Sequence, residues 1–150
     1  ERVGQQARSF TIWKFRTMTV DAESSGQGEW TRVADPRITP VGNLLRRSHL
    51  DELPQIINVL AGNLSIVGPR PEQRHYVEKL TESIPFYSLR HTVKPGMTGW
   101  AQVKYPYGAS EHDAMEKLQY ELYYLRHQSL ALDGRICLRT IRSILLGEGR

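Results

Sequence analysis

Two adjacent carboxylates, Asp51 and Glu52, stand in the stretch Arg46-Arg47-Ser48-His49-Leu50-Asp51-Glu52-Leu53-Pro54-Gln55, between an arginine pair and the apolar residues Ile56, Ile57, Val59 and Leu60. An ionised carboxylate surrounded by anion-binding groups is suited to nucleophilic attack on a phosphoryl group. Ser48 followed three residues later by Asp51 is the signature of a helix N-terminus, and Pro54 is tolerated in a first turn whose N–H groups lack intrahelical partners. With Ser48 or Asp51 as the N-cap, the helix dipole and the guanidinium groups both favour a charged Asp51. The same residues also serve a helix that does no chemistry, with Asp51 as its cap and Glu52 as a solvated first-turn acid. Arg70 is the next candidate: in Gly68-Pro69-Arg70-Pro71 two prolines fix the backbone around a side chain suited to phosphate. A rigid turn with a solvated arginine is the alternative there.

The elements that must position these groups follow from periodicity. Residues 1–18 read as a β-hairpin, with Gly4-Gln5-Gln6-Ala7-Arg8 as the turn and alternating apolar and polar or basic residues from Phe10 to Met18. Lys14 and Arg16 then share one face of the second strand. Residues 21–35, with Ser24-Ser25-Gly26-Gln27-Gly28, read as a mobile polar loop. After the turn at Asp35-Pro36-Arg37-Ile38, Thr39 or Pro40 opens a short helix that delivers Arg46 and Arg47 to the carboxylates. The helix that begins at the dyad runs to Leu60 and stops at Ala61-Gly62-Asn63. Leu64-Ser65-Ile66-Val67 reads as a buried strand, a helix follows from Glu72 to about Thr81, and Lys94-Pro95-Gly96-Met97-Thr98-Gly99-Trp100-Ala101-Gln102-Val103 as a glycine-punctuated loop. Ser110 caps a helix whose apolar stripe carries Ala114, Leu118, Leu122 and Leu125. In the last segment, Asp133 to Leu146, Arg135, Arg139 and Arg142 share a face and Leu138, Ile141, Ile144 and Leu145 lie mostly opposite. Such a helix suits an anionic membrane surface, or a core with a solvated arginine face. The expected fold class is α+β: a helix-rich single domain over residues 1–150, with an N-terminal β-hairpin, short strands and amphipathic interfacial helices.

A chain of 150 residues buries roughly 70% of its unfolded surface, enough for a core without disulfides or metals. The net charge of +4 favours anionic partners, and nucleic acid, nucleotide sugars and anionic lipid headgroups all qualify. Cys137 stands alone, which excludes an intrachain disulfide and fits a reducing compartment. The histidines show no HxxxH or Cys/His ligand spacing, and Walker, GxGxxG and GxSxG templates are absent. No run approaches the ~18 consecutive apolar residues of a membrane span, and the abrupt start at Glu1 reads as a cut from a longer polypeptide.

Taken in order, several motifs resemble one known family over nearly the whole chain. They are Ile12-Trp13-Lys14-Phe15-Arg16-Thr17-Met18, Asp35-Pro36-Arg37-Ile38-Thr39, Leu50-Asp51-Glu52-Leu53-Pro54-Gln55 with Asn58-Val59-Leu60, Val67-Gly68-Pro69-Arg70-Pro71, Leu89-Arg90-His91 and the segment Lys94 to Val103, closed by Leu122-Tyr123-Tyr124. The chain looks like the catalytic domain of the bacterial sugar transferases, the monotopic polyprenyl-phosphate phosphoglycosyl transferases. The resemblance implies transfer of a sugar-1-phosphate from a nucleoside diphosphate sugar, usually a UDP-sugar, to undecaprenyl phosphate, with release of UMP. The product starts an exopolysaccharide or other surface glycan. Also implied are a covalent phosphosugar intermediate on the aspartate of the dyad, matched by Asp51, and assistance by Mg2+, with Asp51 and Glu52 as its protein ligands. The family further implies a preceding hydrophobic helix that enters and leaves one leaflet, which places the domain at the cytoplasmic face of the bacterial inner membrane. Two positions depart from the pattern. Lys104-Tyr105-Pro106-Tyr107-Gly108 replaces an asparagine-glycine-arginine type of sequence, and Glu121 stands where an aspartate is expected.

Within that frame Asp51 is the nucleophile, and Glu52 is either a magnesium ligand or a base acting on the lipid phosphate. Arg70, fixed by Pro69 and Pro71, and Arg46 are expected to bind phosphate, with Lys14 and Arg16 reaching the same groups. Two other readings compete. One is a basic nucleic-acid-binding module with Trp100, Tyr105 and Tyr107 stacking bases, for which no recognition motif is present. The other is a catalytically inactive truncated fragment. The sequence leaves open which sugar is carried and whether the chain forms a homo-oligomer.

Overall fold

The N-terminal hairpin forms, but its ladder is short. In the computed structural model, which describes residues 1–20, 22, 35–105, 108 and 110–146, β1 (Arg2–Val3) pairs antiparallel with β2 (Ser9–Phe10) around a 3-10 turn at Gln5–Ala7. The strand expected through residue 18 does not continue as a ladder: among the described residues, the segment beyond Phe10 pairs with another extended stretch only at its end, through an isolated antiparallel bridge between Met18 and Ile38. Its backbone groups are met by a side chain and by the dyad turn. Asn58 Oδ1 accepts from the Trp13 N–H at 3.0 Å, Asn58 Nδ2 donates to the Thr11 carbonyl at 2.8 Å, and the Asp51 carbonyl accepts from the Phe15 N–H at 2.9 Å. Asn58 is 2% exposed. Asn58→Leu strands both main-chain groups and is expected to cost about 2 kcal/mol, read as a lowered urea midpoint at unchanged slope. Apart from Ala22 and Asp35, the loop expected at residues 21–35 lies outside the described residues.

α1 (Pro40–Arg47) opens as anticipated, with Thr39 Oγ1 accepting from the Gly42 N–H and Pro40 in the first turn. Gly42 lets this helix sit directly on the extended segment: a Cβ there would fall 2.0 Å from the Thr17 carbonyl oxygen. Ser48 is not the cap of the following helix. It closes α1, its hydroxyl donating to the Leu44 and Leu45 carbonyls. His49 adopts a left-handed conformation with φ 55° and turns the chain into a 3-10 turn, Leu50–Glu52, that carries the dyad. α2 (Gln55–Leu60) begins only after Pro54, and no side chain caps it. The single helix expected from the dyad to Leu60 is therefore a turn and a shorter helix, ended as anticipated at Gly62 with φ 78°.

β3 (Ser65–Val67) pairs in parallel with β4 (Gly96–Thr98), and α4 (Trp100–Lys104) follows at once, so the glycine-punctuated stretch is a strand and a short helix rather than a loop. A Cβ at Gly96 would meet the Gly68 nitrogen at 2.1 Å, so only glycine permits this approach of the two chains. The crossover between the strands contains α3 (Arg74–Ser83) and a 3-10 segment, Tyr87–Thr92. α5 (Glu111–Arg126) carries the Ser110/Asp113 capping box, and α6 (Leu130–Leu145), capped by Ser129, starts before Asp133. Val3, Val77, Leu80, Ile84, Tyr87 and Leu118 form one apolar cluster, and Val67, Tyr124, Leu132 and Ile136 form a second. This is the helix-rich α+β class read from the sequence. α6 has apolar residues on both sides: Leu132 and Ile136 face the core, whereas Leu138 is 71% and Leu145 81% exposed. The arginine-bearing helix is therefore no simple core helix. Among the described residues, no helix is long and apolar enough to cross a membrane.

Candidate functional site

The turn at Leu50–Glu52 lies against the extended segment and beside the Pro69-Arg70-Pro71 loop, and its two acids meet opposite surroundings. Glu52 Oε1 accepts from Lys14 Nζ at 2.5 Å and from Arg70 Nη2 at 2.9 Å. The Asp51 side chain is buried with its residue at 8% exposure and makes no hydrogen bond or ion pair with any described residue. Two neighbouring carboxylates thus differ in kind: one is tied by two cations, the other is unengaged.

Their proton affinities diverge accordingly. Burial pushes the Asp51 carboxyl up from its ordinary value; Lys14 opposes this, Glu52 adds to it, and Arg46 and His49 pull it back in part. No α-helix begins at Asp51, so the helix dipole expected to favour its charge is not there, and burial sets the direction of the shift. Burial also disfavours a charged Glu52, but Arg70 and Lys14 together outweigh it and hold that carboxyl well below the usual range. Burial and Arg70 lower the Lys14 ammonium, against the pull of Glu52. A desolvated, more basic carboxylate is a better nucleophile once ionised. The rate is expected to rise with pH along an acid limb set by Asp51, with a midpoint above 3.8 and not below it.

Glu52 gives the opposite stability signature. A depressed folded-state pKa contributes stability that is present above the unfolded value of 4.5 and lost as pH falls below it. Lys14 is 32% and Arg70 45% exposed, so screening reduces the ion pairs' worth. Glu52→Gln is expected to cost about 1–2 kcal/mol near neutral pH and clearly less near pH 3, compared by urea unfolding at the two values.

The remaining sequence candidates separate. Arg46, on α1, bears on Asp51 through its charge. Arg47 does not face the dyad; it lines a groove of about 330 Å3 between α1 and the end of α6, with Leu44, Ser48, Ile144 and Leu145. Arg16 is exposed and pairs with neither carboxylate. Pro69 is buried, and its carbonyl accepts from the Gly96 N–H at 2.9 Å, which fastens the Arg70 loop to β4. Of the aromatic residues considered for base stacking, Trp100 packs against the second apolar cluster under Lys104 and Arg139, the Tyr105 hydroxyl donates to Asp113, and Tyr107 lies outside the described residues.

Sequence reasoning missed the polar groups that hold this arrangement. Asn58 carries the segment that delivers Lys14. Arg90 and Glu121 lie under the Arg70 loop, where Arg90 Nη2 donates to the Arg70 carbonyl at 2.7 Å and to Glu121 Oε1 at 2.7 Å. The only signals for them were the motifs Asn58-Val59-Leu60 and Leu89-Arg90-His91 and an acid of unexpected length at Glu121.

Among the described residues no group of three or more His, Cys, Asp and Glu side chains converges to hold a metal ion. That donor set still fits Mg2+, which usually takes one or two carboxylates and completes its shell with water and substrate phosphates. The Asp51 carboxylate and the second oxygen of Glu52 are engaged by no described group.

The model of the bacterial sugar transferase family matches residues 1–147. Over 148 residues the chain is 46% identical to a UDP-N-acetylgalactosamine-undecaprenyl-phosphate N-acetylgalactosaminephosphotransferase of Aeromonas hydrophila, covering 99% of this chain and 35% of that protein. It is 44% identical to a UDP-glucose:undecaprenyl-phosphate glucose-1-phosphate transferase of Escherichia coli, covering 93% of this chain and 30% of that one. An uncharacterized sugar transferase of Bacillus subtilis is 40% identical, with 99% of this chain and 69% of that protein aligned. The chain thus spans about a third of the first two relatives and about two thirds of the third.

Proposed function

The chain belongs to the bacterial sugar transferase family, and from that premise we propose that it transfers a sugar-1-phosphate from a nucleoside diphosphate sugar, of the UDP type, to undecaprenyl phosphate. UMP is released. The observation that carries this reading is the asymmetry of the dyad: a buried Asp51 with no hydrogen-bond partner among the described residues, beside a Glu52 that gathers Lys14 and Arg70.

In the first half-reaction an Asp51 oxygen bonds to the phosphorus that bears the sugar. The bond from that phosphorus to the bridging oxygen breaks, and its electron pair leaves with UMP. In the second, a phosphate oxygen of undecaprenyl phosphate attacks the same phosphorus, and the acyl-phosphate bond breaks to restore the Asp51 carboxylate. Division into two displacements predicts ping-pong kinetics. Arg70 and Lys14 lie where a diphosphate beside Asp51 meets positive charge, and Arg70 presents a fork to its oxygens. Glu52 holds both cations in place before substrate arrives. Mg2+, held by Asp51 and Glu52 with the phosphates, would neutralise charge on the transferring group.

The lipid acceptor calls for a membrane surface, and the exposed apolar residues support one. Leu44 on α1, Ile57 and Leu60 on α2, and Leu138 and Leu145 on α6 are all more than half exposed, and the arginines of α6 flank its apolar stripe. The cytoplasmic leaflet of the bacterial inner membrane is the proposed location. Incubation with a panel of UDP-sugars, undecaprenyl phosphate and Mg2+ tests the function: UMP release from one or a few sugars, dependent on the lipid, is expected. No release from any of them would overturn it.

A further inference from the structure

The most deeply buried ion pair among the described residues lies under Arg70 rather than in the dyad. Arg90, from the Tyr87–Thr92 segment, and Glu121, from α5, have side chains 5% and 6% exposed and meet at 2.7 Å. Arg90 Nη2 also donates to the Arg70 main-chain carbonyl at 2.7 Å, and its Nη1 donates to the Tyr87 hydroxyl at 2.5 Å. The guanidinium carbon stands 4.9 Å from the centre of the Tyr87 ring. Arg90 therefore joins α5, the 3-10 segment and the Pro69-Arg70-Pro71 loop through one side chain.

Stability alone is a poor reason for this arrangement. A buried ion pair recovers little more than its desolvation cost, and apolar side chains of similar volume often serve as well. Here one Arg90 nitrogen, Nε, is buried without a partner among the described residues, a further cost of placing an arginine at this point. What the arginine provides, and an apolar residue does not, is a donor to the Arg70 carbonyl. The flanking prolines restrict the loop, but the orientation of the Arg70 peptide still depends on the Arg70 ψ angle. Holding the carbonyl holds that peptide, and with it the direction in which the Arg70 side chain leaves the backbone toward Glu52.

We propose that Arg90 and Glu121 are positioning residues for the transfer reaction, their ion pair gripping the Arg70 carbonyl so that the Arg70 guanidinium is presented to Glu52 and to the diphosphate. The proposal rests on the assignment of Arg70 to the phosphates made above.

The test uses the double substitution Arg90→Met/Glu121→Met, which removes both charges together and leaves no unpaired buried ion. Two measurements are made: 15N relaxation of the Arg70 side-chain Nε–H in the free protein, and kcat and KM for the UDP-sugar. The expected result is a folded protein in which the Arg70 side chain loses its order and kcat falls about 10- to 100-fold, with KM changed much less. In an Arg70→Ala background the same double substitution should lower kcat no further. An Arg70 side chain as ordered as in the parent, or kcat losses that multiply in the Arg70→Ala background, would overturn the proposal. Should the double variant not fold, Arg90→Lys, which keeps the charge but not the fork, is read by the same criteria. If the unsubstituted protein turns over no UDP-sugar, the functional reading fails, while the relaxation of Arg70 still decides the positioning role.

Discussion

Asp51→Asn is expected to lower lipid-dependent UMP release about ten-thousand-fold or more, as loss of a catalytic nucleophile does, while leaving the protein at least as stable as its parent. Both halves follow from the surroundings of Asp51. Its carboxylate contacts no hydrogen-bond donor among the described residues, so asparagine of nearly the same shape forfeits no hydrogen bond, and the attraction of Lys14, Arg46 and His49 that it does forfeit is outweighed by the cost of burying the charge. Because burial raises the folded-state pKa above the unfolded value of 3.8, any stability owed to this group is present below that value and lost as pH rises through the folded-state pKa. At neutral pH the ionised carboxylate is thus a burden on the fold, and asparagine removes it. Thermal melts alongside the assay check the pair of outcomes. An inactive variant that has also lost stability would mark Asp51 as a structural acid instead.

Arg70→Ala is expected to reduce kcat about a hundred- to a thousand-fold, the scale on which a positioned charge acts on a transferring phosphoryl group. Lys14 remains within 2.5 Å of Glu52 and keeps one cation at the site, which limits the loss. Arg70→Lys should recover only part of it, since an ammonium supplies charge without the planar fork. Steady-state kinetics with saturating lipid measure all three proteins. Equal activity of the lysine variant and the parent would mean that charge alone suffices and that the geometry set by Pro69 and Pro71 has no part in the reaction.

Local signals translated well into structure where the deciding interactions are local. The Thr39 cap of α1, the Ser110 cap of α5 and the glycine stop after α2 each involve residues a few positions apart, and all three are present. The dyad was legible as chemistry but not as geometry. Ser48 and Asp51 have the spacing of a capped helix, yet Ser48 closes the preceding helix, and the left-handed His49 diverts the chain into a turn. Alternation from Phe10 to Met18 reads as a strand because an extended chain with two environments always alternates; nothing in it shows that the partner is an asparagine side chain. Glycines around Trp100 suggested a loop, whereas Gly96 is glycine to let two parallel strands approach. Arg90 and Glu121 were the least legible: 31 residues separate them, and each taken alone is an ordinary surface residue type. Their role exists only in the folded chain.

Intact-protein mass measurement after incubation with a UDP-sugar and Mg2+, without lipid acceptor, is the most direct test of Asp51 as nucleophile. An added mass of one phosphosugar is expected, carried by the parent, absent from Asp51→Asn and discharged by undecaprenyl phosphate. Transfer to lipid at full rate with no adduct at any time, or an adduct that persists in Asp51→Asn, would contradict the account.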